Sequence, residues 1–147
     1  MTQHVLTRHS YEASVFLVPL DGRARAALDA PAAGDLAGII IAGPGDDRPE
    51  KSAAGADMVI MLSYDLGAVD PAVVTRLRAA ARDTGAPLGT VIIAPDRRWT
   101  GPGAQHGAVI LREASDTVVV LGDLAPAIAF LQVLRGGSRL AASEAGV

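Results

Sequence analysis

Three shortages narrow what this chain can be. It has no cysteine, which removes disulfides, thiolate nucleophiles and cysteine-ligated metals from consideration. Aromatic residues make up only 3% of it, so its core must be built from aliphatic side chains. No uninterrupted apolar run approaches the ~20 residues that a bilayer-crossing helix needs. The opening stretch MTQHVLTRHSYEAS also lacks the apolar core of a signal peptide. The expectation is a cytoplasmic protein with no membrane partner. A net charge of −3 argues against nucleic acid as a general partner.

What is present points to one folded domain. The chain has 147 residues, 50% hydrophobic and 20% charged, with a mean hydropathy of +0.30. That is enough to bury a single core. The apolar mass is Ala, Val, Leu and Ile, which suits helices packed on a buried parallel sheet. Residues 1–12 read as a polar arm, 13–137 as the domain and 138–147 as a tail. SVFLVPL (14–20), AGIIIAG (37–43), MVIML (58–62), TVIIA (90–94) and DTVVVLG (116–122) read as strands. AVILR (108–112) reads as either a strand or a helical turn.

Helices are expected between the strands. One starts at Asp21, and another spans 70–85 with Asp70 as cap, Pro71 in the first turn and Gly85 as stop. Its buried face is expected at Val73, Leu77, Ala80 and Ala81. A third runs from Asp123 to Gly136. PDRRWTGPGAQHG (95–107) reads as a long loop. Strands alternating with helices imply an α/β three-layer sandwich with a mainly parallel sheet of about five strands.

GPGDDRPEKS (43–52) nearly matches the phosphate-loop pattern, with Gly45, Lys51 and Ser52 in register. Glu50, however, occupies the place of the glycine that lets backbone N–H groups wrap a phosphate. Pro49 removes a further donor. Too few residues follow before the next strand to form the long helix such a loop requires. The segment is not expected to bind phosphate in that way.

Open α/β sheets bind ligands at the carboxyl ends of their strands. There the sequence places Asp21, then Asp46 and Asp47, then Ser63, Tyr64 and Asp65, then Asp96, Arg97, Arg98 and Trp99, and finally Asp123. Such carboxylates suit sugar or nucleotide hydroxyls, or Mg²⁺. Asp21, Asp70 and Asp123 have the competing explanation of helix capping. Arginines in the 95–107 segment can hold phosphate or carboxylate, and Trp99 can stack on a ring. Trp99 could equally cover an apolar edge or a neighbouring subunit. His4, His9 and His106 show no ligand spacing, so no metal is expected. No catalytic signature is present, and no cofactor is implied.

Three segments carry a resemblance. VFLVPLDG is similar to the first strand and loop of the nucleoside deoxyribosyltransferase-type domain, a flavodoxin-like (Rossmann-like) sandwich. GADMVIMLSYDLGAVD resembles that family's aspartate-rich segment, and GAPLGTVIIAPDRR its following strand. The order of elements fits from about residue 14 to 136. The resemblance implies ligand contacts at Asp65, Asp70 and Asp96. It does not imply glycosyl transfer, because Arg76 stands where that family carries a nucleophilic glutamate. IIIAGP, GADMVIML and GAPLGTVI are also similar to the C-terminal half of MinD-like and tyrosine-autokinase-like ATPases. No phosphate loop precedes residue 37, so this second resemblance implies a non-hydrolysing relative that kept an assembly surface.

The leading expectation is a pocket for a nucleotide-like or sugar-like small molecule. Its expected contacts are Asp46, Ser63, Tyr64, Asp65, Asp70, Asp96, Arg97 and Trp99, with no catalytic residue identified. The alternative is a non-catalytic assembly or regulatory subunit, a degenerate relative of an α/β enzyme. In LAPAIAFLQVL (124–134) only Gln132 is clearly polar, and a helix apolar all round is buried all round. Ile128, Phe130, Leu131 and Leu134 are expected to spread too widely to share one core. The chain would then form a homo-oligomer, or join a larger complex, through residues 124–134.

Overall fold

In the computed structural model of this chain, every strand among the described residues runs in the same direction. The structure describes residues 13–30, 36–44 and 46–136; the expected arm and tail, with His4 and His9, lie outside the described residues. The strands are β1 (Val15–Pro19), β2 (Ile39–Ile41), β3 (Met58–Ser63), β4 (Leu88–Ile93) and β5 (Thr117–Leu121). They pair in the order β2-β1-β3-β4-β5, all parallel. The helices are α1 (Gly22–Asp29), α2 (Pro49–Ala53), α3 (Pro71–Thr84), α4 (Pro102–Ala114) and α5 (Leu124–Arg135). This is the flavodoxin-like order of an α/β sandwich.

The two-residue period of the strands sorts their side chains into two cores. Phe16, Val18, Val59, Met61, Leu88 and Ile92 face α2, α3 and α4 through Ala53, Val74, Leu77, Ala81 and Leu111. Val15, Leu17, Ile60, Leu62, Val91 and Ile93 face α1 and α5 through Ala24, Leu28, Ala127 and Leu131. Strands covered on both faces read as unbroken apolar runs, which is why they stand out in the sequence. In α3 the fully buried valine is Val74, with Val73 only half-buried.

The caps follow the residue types. The carboxylates of Asp21, Asp70 and Asp123 accept from the backbone N–H groups of Ala24, Ala72 and Leu124. Gly85, at φ 77°, ends α3 in the left-handed conformation that glycine adopts without steric cost. Lys51 lies within α2, a five-residue helix, and not at the head of a long one; Gly45 lies outside the described residues. Glu50 instead pairs with Arg76, at 3.4 Å.

Two expectations are corrected here. Residues 95–107 are not one loop. A short turn covers Pro95–Arg97, and α4 starts at Pro102, absorbing the whole 108–112 segment. Two of the three glycines that suggest a loop serve close packing. Gly103 and Gly107, one turn apart, lie against the 3₁₀ turn Leu66–Ala68. The four residues of α5 also do share one core. Ile128 and Leu131 are buried in it, and Phe130 and Leu134 pack half-buried against it. The exposed face of α5 carries Ala125, Pro126, Ala129 and Val133. No helix of the described residues is long and apolar enough to cross a membrane.

Asp116, at the foot of β5, ties three elements together. Its carboxylate accepts from the backbone N–H of Leu88 at 2.8 Å and from the guanidinium of Arg78 at 3.2 Å. The Leu88 N–H, and after it Arg78, hold this carboxyl below its ordinary value. A depressed carboxyl stabilises the fold fully above the unfolded-state pKa of about 4 and loses that contribution as pH falls through the folded-state value. Asp116→Asn is therefore expected to be less stable than the wild type near neutrality, with the difference vanishing toward about pH 2. Urea midpoints measured across pH check this.

Candidate functional site

The carboxyl edge of the sheet is organised around Asp21. This residue follows β1, and its side chain accepts from four groups, one in α1 and three at the end of β3 and just beyond it. One oxygen accepts the Ala24 N–H of α1 at 2.8 Å. The other accepts the Ser63 hydroxyl and the Tyr64 and Asp65 backbone N–H groups, each at 3.0 Å. Asp21 thus locks the end of β3 to the start of α1. Ser63 is 0% exposed, so it serves this anchor and presents nothing to a ligand directly.

The anchor divides the edge into two cavities. On one side, about 200 Å³ is lined by Arg23, Tyr64, Asp65, Arg98, Trp99 and Ala104, among others. The Arg23 guanidinium lies over the Tyr64 ring, 5.7 Å from its centroid, within the range where a cation is attracted to a ring face. Burial, and then the negative charge of Asp123, push the Tyr64 phenol above its ordinary range, against the opposing pull of Arg23. Tyr64 is therefore a neutral hydroxyl at physiological pH. Trp99 is half-buried against the core, and its indole N–H donates to Gln105 at 3.1 Å. That bond fixes the ring plane.

Helix α4 opens at the same cavity, which Thr100 and Ala104 also line. Its cap, Gly101, has φ 95° and no side chain, and Pro102 at the first position has no N–H, so no side chain caps the Gly103 and Ala104 N–H groups. Those groups carry the positive end of the helix dipole. Two guanidiniums, an uncapped helix start and two aromatic rings form a surface suited to a planar, negatively charged molecule. Asp65 adds one acceptor suited to a hydroxyl.

On the other side, about 290 Å³ is lined by Asp21, Arg25, Asp46, Asp47, Asp70 and Val73, among others. Here Arg25 donates to the Ala42 carbonyl, which holds the end of β2, and the remaining charged groups are acidic. Asp70 is occupied as the α3 cap, and Asp46 accepts the Arg48 N–H at 3.0 Å. Among the described residues no group of three or more His, Asp or Glu is placed to hold a metal ion.

Of the residues expected from sequence, Tyr64, Asp65 and Trp99 are brought together. Asp46 and Asp70 line the separate acidic cavity. Asp96 is exposed, lines neither cavity, and adopts φ 60°, ψ 10° in the turn that Arg97 completes. Aspartate tolerates that left-handed conformation better than most residues. Arg23 was not singled out in the sequence, although the signal was available. It stands in the first turn after β1, where edge residues reach the crevice. No protein-family model matches this chain, and no curated protein does.

Proposed function

We propose that the chain binds a small phosphorylated molecule, nucleotide-like or sugar-like, in the cavity between the carboxyl ends of β3 and β4. The observation that carries this is the convergence of Arg23, Arg98, Tyr64 and Trp99 around one opening at the head of α4. The anionic group is held by Arg23, Arg98 and the Ala104 N–H in the first turn of α4, because charge-assisted bonds to guanidinium are the strongest available there. The ring or sugar face lies against Trp99 and Tyr64. Asp65 accepts a ligand hydroxyl. The proposed role is binding, with no reaction assigned.

A thermal-shift screen of nucleosides, nucleotides and sugar phosphates tests the reading. A ligand present at a hundred times its Kd stabilises the folded state by about 2.7 kcal/mol. Phosphorylated compounds should raise the melting temperature more than their unphosphorylated counterparts, and Arg23→Ala should abolish the difference. Unchanged melting with every compound at millimolar concentration would remove the support for this site.

A second reading, assembly through α5, is favoured by one observation. Val133 is 52% exposed on a face otherwise made of Ala and Pro. Small side chains let two helices approach closely, and Val133, near the end of α5, is the one large apolar side chain exposed on that face. Val133→Glu is expected to leave a folded monomer where the wild type self-associates. A wild type that light scattering finds monomeric at high concentration contradicts assembly with a second copy.

A further inference from the structure

A different cavity opens at the amino-terminal end of the sheet, beneath the last half of α5. It measures about 230 Å³. Ile60 of β3, Gly89 and Val91 of β4 and Val119 of β5 form its floor, and Phe130 and Leu134 form its roof. The lining is almost wholly carbon. It lies at the other end of the sheet from the proposed phosphate site and uses none of that site's residues.

Gly89 is the reason the space exists. Across the sheet Ile60, Gly89 and Thr117 stand in register in one row, and the middle position has no side chain. Glycine weakens a strand, and inside one it marks a bulge, a bend or the close approach of a ligand or another backbone. The pairing of β4 with both neighbours continues through Gly89 without a bulge. Gly89 is also absent from the glycines that adopt positive φ, so the backbone conformation does not demand it. A Cβ added there would enter the cavity, 3.0 Å from the Ile60 Cδ1. What this glycine supplies is room.

We propose that this cavity binds a small uncharged apolar molecule, a single aromatic ring or an aliphatic group of similar volume. An apolar cavity of about 150 Å³ suffices for benzene, and this one is larger. The walls offer almost no polar partner, so a polar ligand would lose its water without replacement. At the rim, the Asp116 carboxylate is already engaged by the Leu88 N–H and Arg78, and its negative charge opposes an acidic head group.

The test is a benzene titration followed by the amide spectrum of the isotope-labelled full chain. Saturable shifts confined to residues 58–60, 88–91, 117–119 and 130–134 are expected, with hexanoate binding at least tenfold more weakly. Gly89→Val should weaken benzene binding at least tenfold while thermal unfolding stays cooperative. Should that variant not fold, Val119→Phe fills the space from the edge strand, where an aromatic residue is well tolerated, and should have the same effect. No saturable shift in the wild type, equal affinity in the filled variant, or hexanoate binding as tightly as benzene would each overturn the proposal.

Discussion

Gly107→Ala is expected to destabilise the fold by roughly 2–3 kcal/mol, lowering the melting temperature by about 10 °C. Helix propensity alone argues the opposite, since alanine inside a helix is better than glycine by about 1 kcal/mol. Sterics decide it. A Cβ on Gly107 would sit 2.0 Å from the Leu66 carbonyl oxygen and 2.9 Å from its carbon. Those are backbone atoms, so no rotamer change relieves the contact. Either α4 or the Leu66–Ala68 turn must shift, and that turn follows the loop bearing Tyr64 and Asp65. Gly103→Ala is the control. Its added Cβ meets only the Gly67 Cα at 3.7 Å, an ordinary contact, so it should be neutral or mildly stabilising. Thermal unfolding of both variants separates close packing from propensity.

Asp21→Ala should cost about 3–4 kcal/mol and abolish ligand binding at the carboxyl edge. The substitution strands the Ser63 hydroxyl and the N–H groups of Tyr64 and Asp65, and it removes the α1 cap. Loss of a cap alone costs about 1 kcal/mol. The remainder comes from the part-buried donors, discounted because water reaches the Asp65 N–H. Asp21→Asn keeps one oxygen and should retain roughly half of the lost stability. Urea denaturation measures both. A cost near 1 kcal/mol for Asp21→Ala would mean that the residue is only a cap.

The sheet was legible because its three central strands, β1, β3 and β4, are sandwiched between helices, so their apolar runs are not interrupted by polar outward positions. The Asp70–Pro71 start and the Gly85 stop of α3 were legible because cap chemistry is local. Helix α4 was not. Its first turns, PGAQHG, carry the composition of a loop, and only the contact with Leu66 reveals why glycine is needed there. Helix α2 is too short for periodicity to show. The breadth of the apolar face on α5 was misleading for a related reason. Phe130 and Leu134 lean over the space left by Gly89, which no pattern within the helix records.

The candidate residues were legible as neighbours at one edge, but their partition between two cavities was not. The rule that ligands meet strand carboxyl ends gathers Asp46, Ser63, Tyr64, Asp65, Asp70 and Asp96 at one edge. It cannot tell that Asp21 draws Ser63 inward and separates Asp46 and Asp70 from Tyr64. Arg23 was missed although its place in the first turn after β1 was legible, because that place alone does not show its guanidinium above the Tyr64 ring.

Trp99 is the only tryptophan in the chain, and it lines the proposed phosphate cavity, so tryptophan emission, excited beyond the tyrosine band, reports on that site alone. The decisive measurement is a fluorescence titration with the phosphorylated compound that most raises the melting temperature. The account predicts a saturable change in Trp99 emission whose midpoint matches the thermal stabilisation, weakened at least tenfold in Arg23→Ala. Stabilisation by that compound with unchanged Trp99 emission, or with full affinity in Arg23→Ala, would place the ligand elsewhere and contradict it.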